Sequence, residues 1–381
     1  MSMDYNARLQ RFQQHIEDQV DLVFMPISAD LQYLTGVPRD MPSFGAVLHP
    51  GMWLEGGWVT PERGPILALP RMTAVFGGLD KLKADIRVLG DHDDPAVLVR
   101  DLATELKAPA RPRIAVSDST RGETLVGLQR LFPEATFSSA TALLNPLRRV
   151  KDEAEIATMR QGGEITEAAF KAVLGRLKHG MTELEIMSEV DFQLRQHGAK
   201  GPSFVTAMYN SGPDHPLIFG YPEEKWHRQL NPPVALLFDF GAIYQGYCYD
   251  FGRTVAFGEP DEELQRVFDL IMASQAAGIA ALKVGQTAAQ VDAAARAVIE
   301  QAGYGEAFRH RLGHGIGLDV HEAPFLTASD HTPLQEGMLF TIEPSIMQFE
   351  TFSARVEDVV VAREDGGEPL TSGFQTLQVV E

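Results

Sequence analysis

One stretch of this chain occurs twice. Lys178-His179-Gly180-Met181-Thr182, followed by Glu185 and Ile186, returns as Lys283-Val284-Gly285-Gln286-Thr287, followed by Gln290 and Val291. In each copy a Thr stands three residues ahead of Glu or Gln. That spacing is a capping box, in which side chain and backbone at a helix start satisfy each other's hydrogen bonds. Each copy also has a second Gly eighteen residues after its first, Gly198 and Gly303, where a helix would end. The offset is 105 residues throughout. Capped helices are common, and two of them resemble each other for that reason alone. The other reading is a duplicated half-domain with pseudo-twofold symmetry, which would set a site between its halves.

The repeat occupies only the later part of 381 residues, a length that suits two domains rather than one core. Ahead of it, short apolar runs alternate with helical patterns, as in a mixed α/β layer. Val20 to Ile27, Ala46 to His49, Pro65 to Leu69, Ile86 to Leu89 and Ile114 to Val116 read as strands. Leu9 to Gln19, Pro95 to Leu106 and Thr120 to Leu131 read as helices, the second opened by Asp94 as cap and Pro95 at its first position. A break is expected around Leu143 to Val150, where Asn145-Pro146 signals a turn. A long helix follows from Lys151. These patterns divide the chain into 1–147 and 148–381.

Composition excludes several classes of function. With 33 Lys+Arg against 52 Asp+Glu, the net charge of −19 opposes non-specific binding to nucleic acid or to an anionic membrane. The single cysteine, Cys248, has no internal partner and reads as a small buried residue, which fits a cytoplasmic setting. The first residues are polar, and the most apolar helical stretch, Leu270 to Leu282, is too short to span a bilayer.

The residues suited to chemistry come in order along the second part. Asp239 and Asp250 flank a segment that reads as a hairpin turning at Tyr244-Gln245, which would set the two aspartates directly opposite each other. Two carboxylates that close repel unless a cation lies between them; a strand-end Asp and a turn Asp, both at the surface, fit equally well. Gly313-His314-Gly315-Ile316-Gly317 puts His314 on a tight loop or strand. Glu343 ends the apolar run Leu339 to Ile342, and Glu357 lies within Ala354 to Val361. Four carboxylates and one imidazole suit two divalent ions that share ligands. Oxygen-rich ligation favours Mn²⁺, while Co²⁺, Fe²⁺ and Zn²⁺ would also bind. His310 and His321 flank His314 and would face the same cavity. There is no helical His-Glu-x-x-His and no Gly-x-Ser-x-Gly elbow.

The ordered set Asp239, Asp250, His314, Glu343 and Glu357 resembles that of the pita-bread metallopeptidases, the Xaa-Pro dipeptidases (prolidases) and Xaa-Pro aminopeptidases. The run Gly313 to Leu318 with His321-Glu322, and the eleven-residue Asp–Asp spacing, are specific to that pattern. Tyr33-Leu34-Thr35-Gly36 is similar to the creatinase/prolidase N-terminal domain, and Leu147 to Lys151 to its junction with the catalytic domain. The resemblance implies an α/β N-terminal domain followed by a pseudo-twofold pita-bread domain. It implies that Asp250 and Glu357 bridge two metals, that Asp239 chelates one, and that His314 and Glu343 hold the other. A hydroxide held between the metals would cleave the bond before proline in dipeptides or short peptides, with Glu343 taking up a proton. His310 and His321 would stabilise the intermediate, and Arg355 would pair with a metal-binding aspartate. A homodimer is implied, with Arg39 and Asp40 as substrate-selecting candidates.

Three positions depart from the family. Met347 stands where a Tyr is usual, and Gly252 where Thr or Ser is usual. The loop that carries an entrance histidine reads Ser211-Gly212-Pro213-Asp214-His215-Pro216, so either His215 fills that role or Phe219 occupies the histidine's place. A non-peptidase relative, such as a lyase or amidinohydrolase acting on a small zwitterion, and an inactive binding module are the alternative readings.

Overall fold

In the computed structural model, which describes residues 3–39, 51–79, 84–218 and 223–381, the chain divides between Arg148 and Arg149 into two units. The apolar runs of the first unit become strands of one mixed sheet: β1 (Leu22–Pro26), β2 (Gly56–Val59), β3 (Ile66–Pro70), β4 (Asp85–Leu89), β5 (Arg113–Val116) and β6 (Thr136–Ser139). Their order is β4-β3-β2-β1-β5-β6. The helices are α1 (Tyr5–Ile16), α2 (Ala29–Thr35), α3 (Arg71–Phe76), α4 (Pro95–Glu105), α5 (Gly122–Leu131) and α6 (Ala140–Arg148). Alternation puts Leu22 and Phe24 of β1 on one face, where they pack with Trp58, Ile114, Val99 of α4 and Leu128 of α5. Each such side chain, fully buried, contributes about 1.5–3 kcal/mol. Asp94 caps α4 by accepting from Ala96 N–H at 2.9 Å, with Pro95 at the first position.

The strand expected at Ala46–His49 lies outside the described residues. One expectation for this unit changes. Asn145-Pro146 does not end a helix, because α6 runs through Pro146 to Arg148. The reason is tertiary: Arg148 Nη1 meets the buried Asp30 carboxylate at 2.6 Å, and Asp30 also accepts from the Ser117 and Thr141 hydroxyls. This anchor outweighs the one backbone hydrogen bond that proline removes.

The second unit realises the internal repeat. After α7 (Glu153–Leu174) come α8 (Glu183–Gln196), the short α9 (Glu223–Trp226), α10 (Glu262–Ala281) and α11 (Ala288–Gln301). Helices α8 and α11 are 14 residues each, and they start and end 105 positions apart. Both capping boxes form, Thr182 with Glu185 and Thr287 with Gln290. The leading glycines also bond alike, Gly180 N–H to Leu230 O and Gly285 N–H to Leu334 O.

The strands of this unit are β7 (Gly201–Pro202), β8 (Ala207–Ser211), β9 (Val234–Phe240), β10 (Ala242–Tyr244), β11 (Tyr247–Cys248), β12 (Phe251–Phe257), β13 (Gly313–Gly315), β14 (Glu322–Leu326), β15 (Leu339–Ile342), β16 (Ser345–Ile346), β17 (Ala354–Arg355), β18 (Asp358–Ala362), β19 (Gly367–Pro369) and β20 (Gln378–Val380). One sheet runs β20-β12-β9-β8 and another β14-β13-β15-β18-β19. Val267 and Ile271 of α10, with Val291 and Ile299 of α11, cover Phe340 and Ile342 of β15 and Val360 of β18. On the other sheet, Phe170 of α7 sits edge-on to Phe238 and Phe251 at 5.3 Å each. Among the described residues, no helix is long and apolar enough to cross a membrane.

Candidate active site

Asp239 enters the site from β9 and Asp250 from the residue before β12. The connection between the strands turns one residue later than expected. Tyr244 pairs with Tyr247, so the two-residue loop is Gln245-Gly246, with φ of 49° and 84°. Positive φ at both central residues is the type I′ hairpin geometry, which matches strand twist and which glycine adopts without steric cost. The shift moves every partner: Asp239 faces Gly252, not Asp250. The two aspartates are therefore diagonal neighbours rather than directly opposed.

Two other strands deliver the glutamates. Ile342 of β15 pairs with Asp358 of β18, so Glu343, just past one strand, and Glu357, just before the other, emerge side by side. His314 lies on β13, which joins β15 through Gly315 and Phe340. Its Nδ1 lies 3.0 Å from the Gly315 carbonyl. That contact assigns the proton to Nδ1 and leaves the Nε2 lone pair facing Asp250 Oδ2 at 3.7 Å and Glu343 Oε1 at 3.6 Å. One ligand atom from each of Asp250, His314 and Glu357 falls within 4.8 Å of the others.

The electrostatics of this cluster fit a cation. Burial, reinforced by repulsion from Asp239 and Glu343, raises Asp250 well above the usual carboxylate range. Burial and repulsion from Asp250 do the same to Glu357. Burial pushes Glu343 up to about 7, against the pull of Arg355. Asp250 Oδ1 and Glu357 Oε2 are buried with no hydrogen-bond donor among the described residues. Buried anionic oxygens without donors are costly unless a positive charge supplies the missing partner. Arg355 supplies part of it by pairing directly with Asp239 and approaching Glu343 Oε2 at 3.8 Å. Burial opposes its charge, yet Asp239, Glu343 and Glu357 hold the guanidinium above its usual range.

A cavity of about 710 Å³ opens over these groups, lined by Asp239, Asp250, His310, His314, His321, Glu343, Arg355 and Glu357. The cavity thus brings together the five carboxylate and imidazole candidates for metal binding with His310, His321 and Arg355. His215 is not among the lining residues; it closes a tight turn with Gly212 through two backbone hydrogen bonds of 3.0 Å. Burial and the nearby Arg228 hold its imidazole below the usual range. Phe219 and Asp40 lie outside the described residues, and Arg39 belongs to the first unit.

The two flanking histidines are held differently. His310 Nδ1 lies 2.7 Å from the Arg311 carbonyl, while its Nε2 meets Ser345 Oγ at 2.5 Å and Arg355 Nη2 at 3.2 Å. With the proton on Nδ1, Nε2 accepts from both donors. Burial, then Arg355, lowers His310 to about 3, so the ring is neutral. His321 is exposed to the cavity and stands edge-on to His314, ring centroids 4.2 Å apart. Burial lowers both of these as well, His314 to about 3.

Sequence reasoning missed Arg311, which lines the cavity with its guanidinium over the Phe325 ring at 4.6 Å. Its position between His310 and His314 was the available signal. The Met347 side chain is buried with Leu217, Leu237 and Tyr209, an apolar contact in place of a hydroxyl. Cys248 is buried.

The same arrangement recurs in known proteins. An Xaa-Pro dipeptidase of Lactobacillus delbrueckii subsp. lactis is 30% identical over 372 residues, spanning 96% of both chains. A prolidase from Thermococcus sibiricus superposes with a TM-score of 0.88 at 27% identity, covering all of both chains. A dipeptidase from Pyrococcus horikoshii does so at 0.85 and 28%, over 98% of this chain and 100% of that one. The model of metallopeptidase family M24 matches residues 157–364, a span that holds the whole metal-type cluster. With that match over more than half its length, the chain belongs to metallopeptidase family M24 and is a metal-dependent peptidase with the pita-bread fold.

Proposed function

We propose that this chain hydrolyses the bond before proline in Xaa-Pro dipeptides or short peptides, with two divalent ions held by Asp239, Asp250, His314, Glu343 and Glu357. The observation that carries the reading is the pair of donorless buried oxygens, Asp250 Oδ1 and Glu357 Oε2, beside the inward Nε2 of His314. Asp250, Glu357 and His314 would hold an ion in common, because one ligand atom of each falls within 4.8 Å of the others. Divalent ions bound there supply Lewis acidity, polarising the scissile carbonyl and acidifying water. The mostly carboxylate donor set favours Mn²⁺ and would accept Co²⁺, Fe²⁺ or Zn²⁺.

The chain's own groups divide the remaining work. Glu343, whose Oε2 faces His310 and Arg355, takes up and returns a proton. Arg355 holds Asp239 in place. Neutral His321 donates a hydrogen bond to the substrate carbonyl region, and His310 fixes Arg355 through its Nε2. Phe204, Val205, Val320 and Phe325 give the cavity an apolar wall suited to a pyrrolidine ring. Arg311 makes no ion pair among the described residues, and it is the cation best placed to receive a free substrate carboxylate. This favours dipeptides. The relatives named Xaa-Pro dipeptidase and prolidase support the same substrate class. A homodimer in the cytoplasm accompanies this reading.

The test is proline release from a panel of Xaa-Pro dipeptides by chelator-stripped protein, with and without Mn²⁺. Release that needs metal and vanishes in Glu357→Ala is expected. No release with any of the four metals, while two ions bind per chain, would overturn the substrate assignment and point to the non-peptidase reading.

A further inference from the structure

Of the buried ion pairs that the chemistry above leaves unused, one lies beside His321. Lys151 Nζ donates to Glu322 Oε2 at 2.9 Å, with the two side chains 2% and 8% exposed. A buried pair of this kind is weak evidence of stabilisation, since apolar replacements often do as well; fixing one conformation is the better-founded use. Glu322 directly follows His321. Its other oxygen, Oε1, accepts the Asp319 backbone N–H at 3.1 Å.

The segment from Ile316 to His321 folds around this pair. A Cβ on Gly317 would lie 2.8 Å from Lys151 Cε and 3.0 Å from both Glu322 oxygens, so a larger residue there would have to displace the pair. Gly317 N–H donates to the Asp319 carbonyl at 3.0 Å, and its own carbonyl accepts from Cys248 N–H at 2.8 Å. Lys151 is fixed in turn by its N–H, which donates to the Gly337 carbonyl at 2.9 Å. The His321 ring, by contrast, makes no side-chain hydrogen bond among the described residues; it has only its edge contact with His314. Its place in the cavity therefore depends on its loop, whose beginning is tied down by Cys248 and whose end is tied down by the ion pair.

We propose that Lys151 and Glu322 are positioning residues for His321, acting on turnover through the loop and not on metal binding. The proposal rests on the reading of His321 as a donor to substrate. Removing one partner would take away a charge that the other, buried group faces, so the informative variant is the doubly neutral Lys151→Met/Glu322→Gln. In Xaa-Pro turnover it should lower kcat by about 10–100-fold, the cost of displacing a reacting group by roughly an ångström. Metal uptake should be unchanged. Combined with His321→Ala, it should add almost nothing to the loss that His321→Ala causes alone, since the two act as one unit.

An equal loss in the His321→Ala background, or metal uptake that falls in step with kcat, would overturn the proposal. A readout independent of substrate separates its failure from that of the peptidase reading. In the metal-loaded chain, the His321 ring resonances, assigned by their absence in His321→Ala, should shift in the doubly neutral variant. If they stay in place, the pair does not position His321, whatever the chain hydrolyses.

Discussion

Gly252 and Glu357 exchange both of their backbone hydrogen bonds, Gly252 N–H to Glu357 O at 3.2 Å and Glu357 N–H to Gly252 O at 2.9 Å. One residue belongs to β12 of the four-stranded sheet, and the other immediately precedes β18 of the five-stranded sheet. This single bridge joins the sheets at the centre of the site. It sets Glu357 beside the strand that begins after Asp250, which is why two buried carboxylates from distant parts of the sequence converge.

The contact leaves little room. A Cβ at position 252 would stand 2.9 Å from Glu357 Cβ and 3.1 Å from its Oε2. Gly252→Ala should push Glu357 outward and reduce metal affinity or activity about 10–100-fold, as altered ligand support typically does. Calorimetric titration of Mn²⁺ alongside turnover measures this. Unchanged values would mean that Glu357 has space to retreat.

Arg253 secures the same bridge from beneath. Its Nη1 donates to the carbonyls of both Gly252 and Glu357 at 2.8 Å, and its Nη2 pairs with the buried Asp358 at 2.7 Å. Arg253→Met leaves the buried Asp358 carboxylate without its counter-charge, with Gln275 Nε2 at 3.0 Å as its remaining side-chain donor, and should destabilise the fold by about 3–5 kcal/mol. Urea unfolding of the metal-free chain is the measurement; a loss under 1 kcal/mol, the scale of an exposed pair, would contradict the burial argument.

The carboxylate cluster predicts how metal-free stability depends on pH. Asp250, Glu357 and Glu343 all have folded-state values above their ordinary ones. A carboxyl group raised on folding holds its proton more tightly in the folded state. The stability it contributes is therefore complete at low pH and is lost as pH rises from the ordinary value to the raised one. For Glu343 that window runs from 4.5 to about 7. The Tm of chelator-stripped protein should fall across this range, and the Tm gain from added Mn²⁺ should be largest at its upper end. A metal-induced gain independent of pH would remove the cluster as its source.

Arg311 predicts a preference for free carboxylates. A hydrogen bond to a charged group contributes about 1.5–3 kcal/mol. Arg311→Met should accordingly raise KM for Xaa-Pro dipeptides about tenfold or more, with little effect on the matching amides. Equal changes for acid and amide substrates would assign Arg311 to the cavity wall alone.

The sequence by itself determined the features that depend on neighbours a few residues apart. The capping boxes at Thr182 and Thr287 close over three residues, so their recurrence at a fixed offset could be read directly and reappears as two helices of equal length. The apolar runs ahead of Asp239 and Glu343 likewise specify strands that carry a carboxylate at or beside their ends. Tertiary structure decided what depends on distant partners or on backbone twist. The hairpin turned at Gln245-Gly246 because strand twist favours a type I′ loop, which moved Asp239 opposite Gly252. Helix α6 passed through Pro146 because Asp30, more than a hundred residues earlier, holds Arg148. His215 stayed out of the cavity because its loop closes on itself through Gly212, a pairing the sequence pattern did not specify. Pattern and propensity act along the chain, whereas a site made of buried like charges is assembled by strands that meet only after folding.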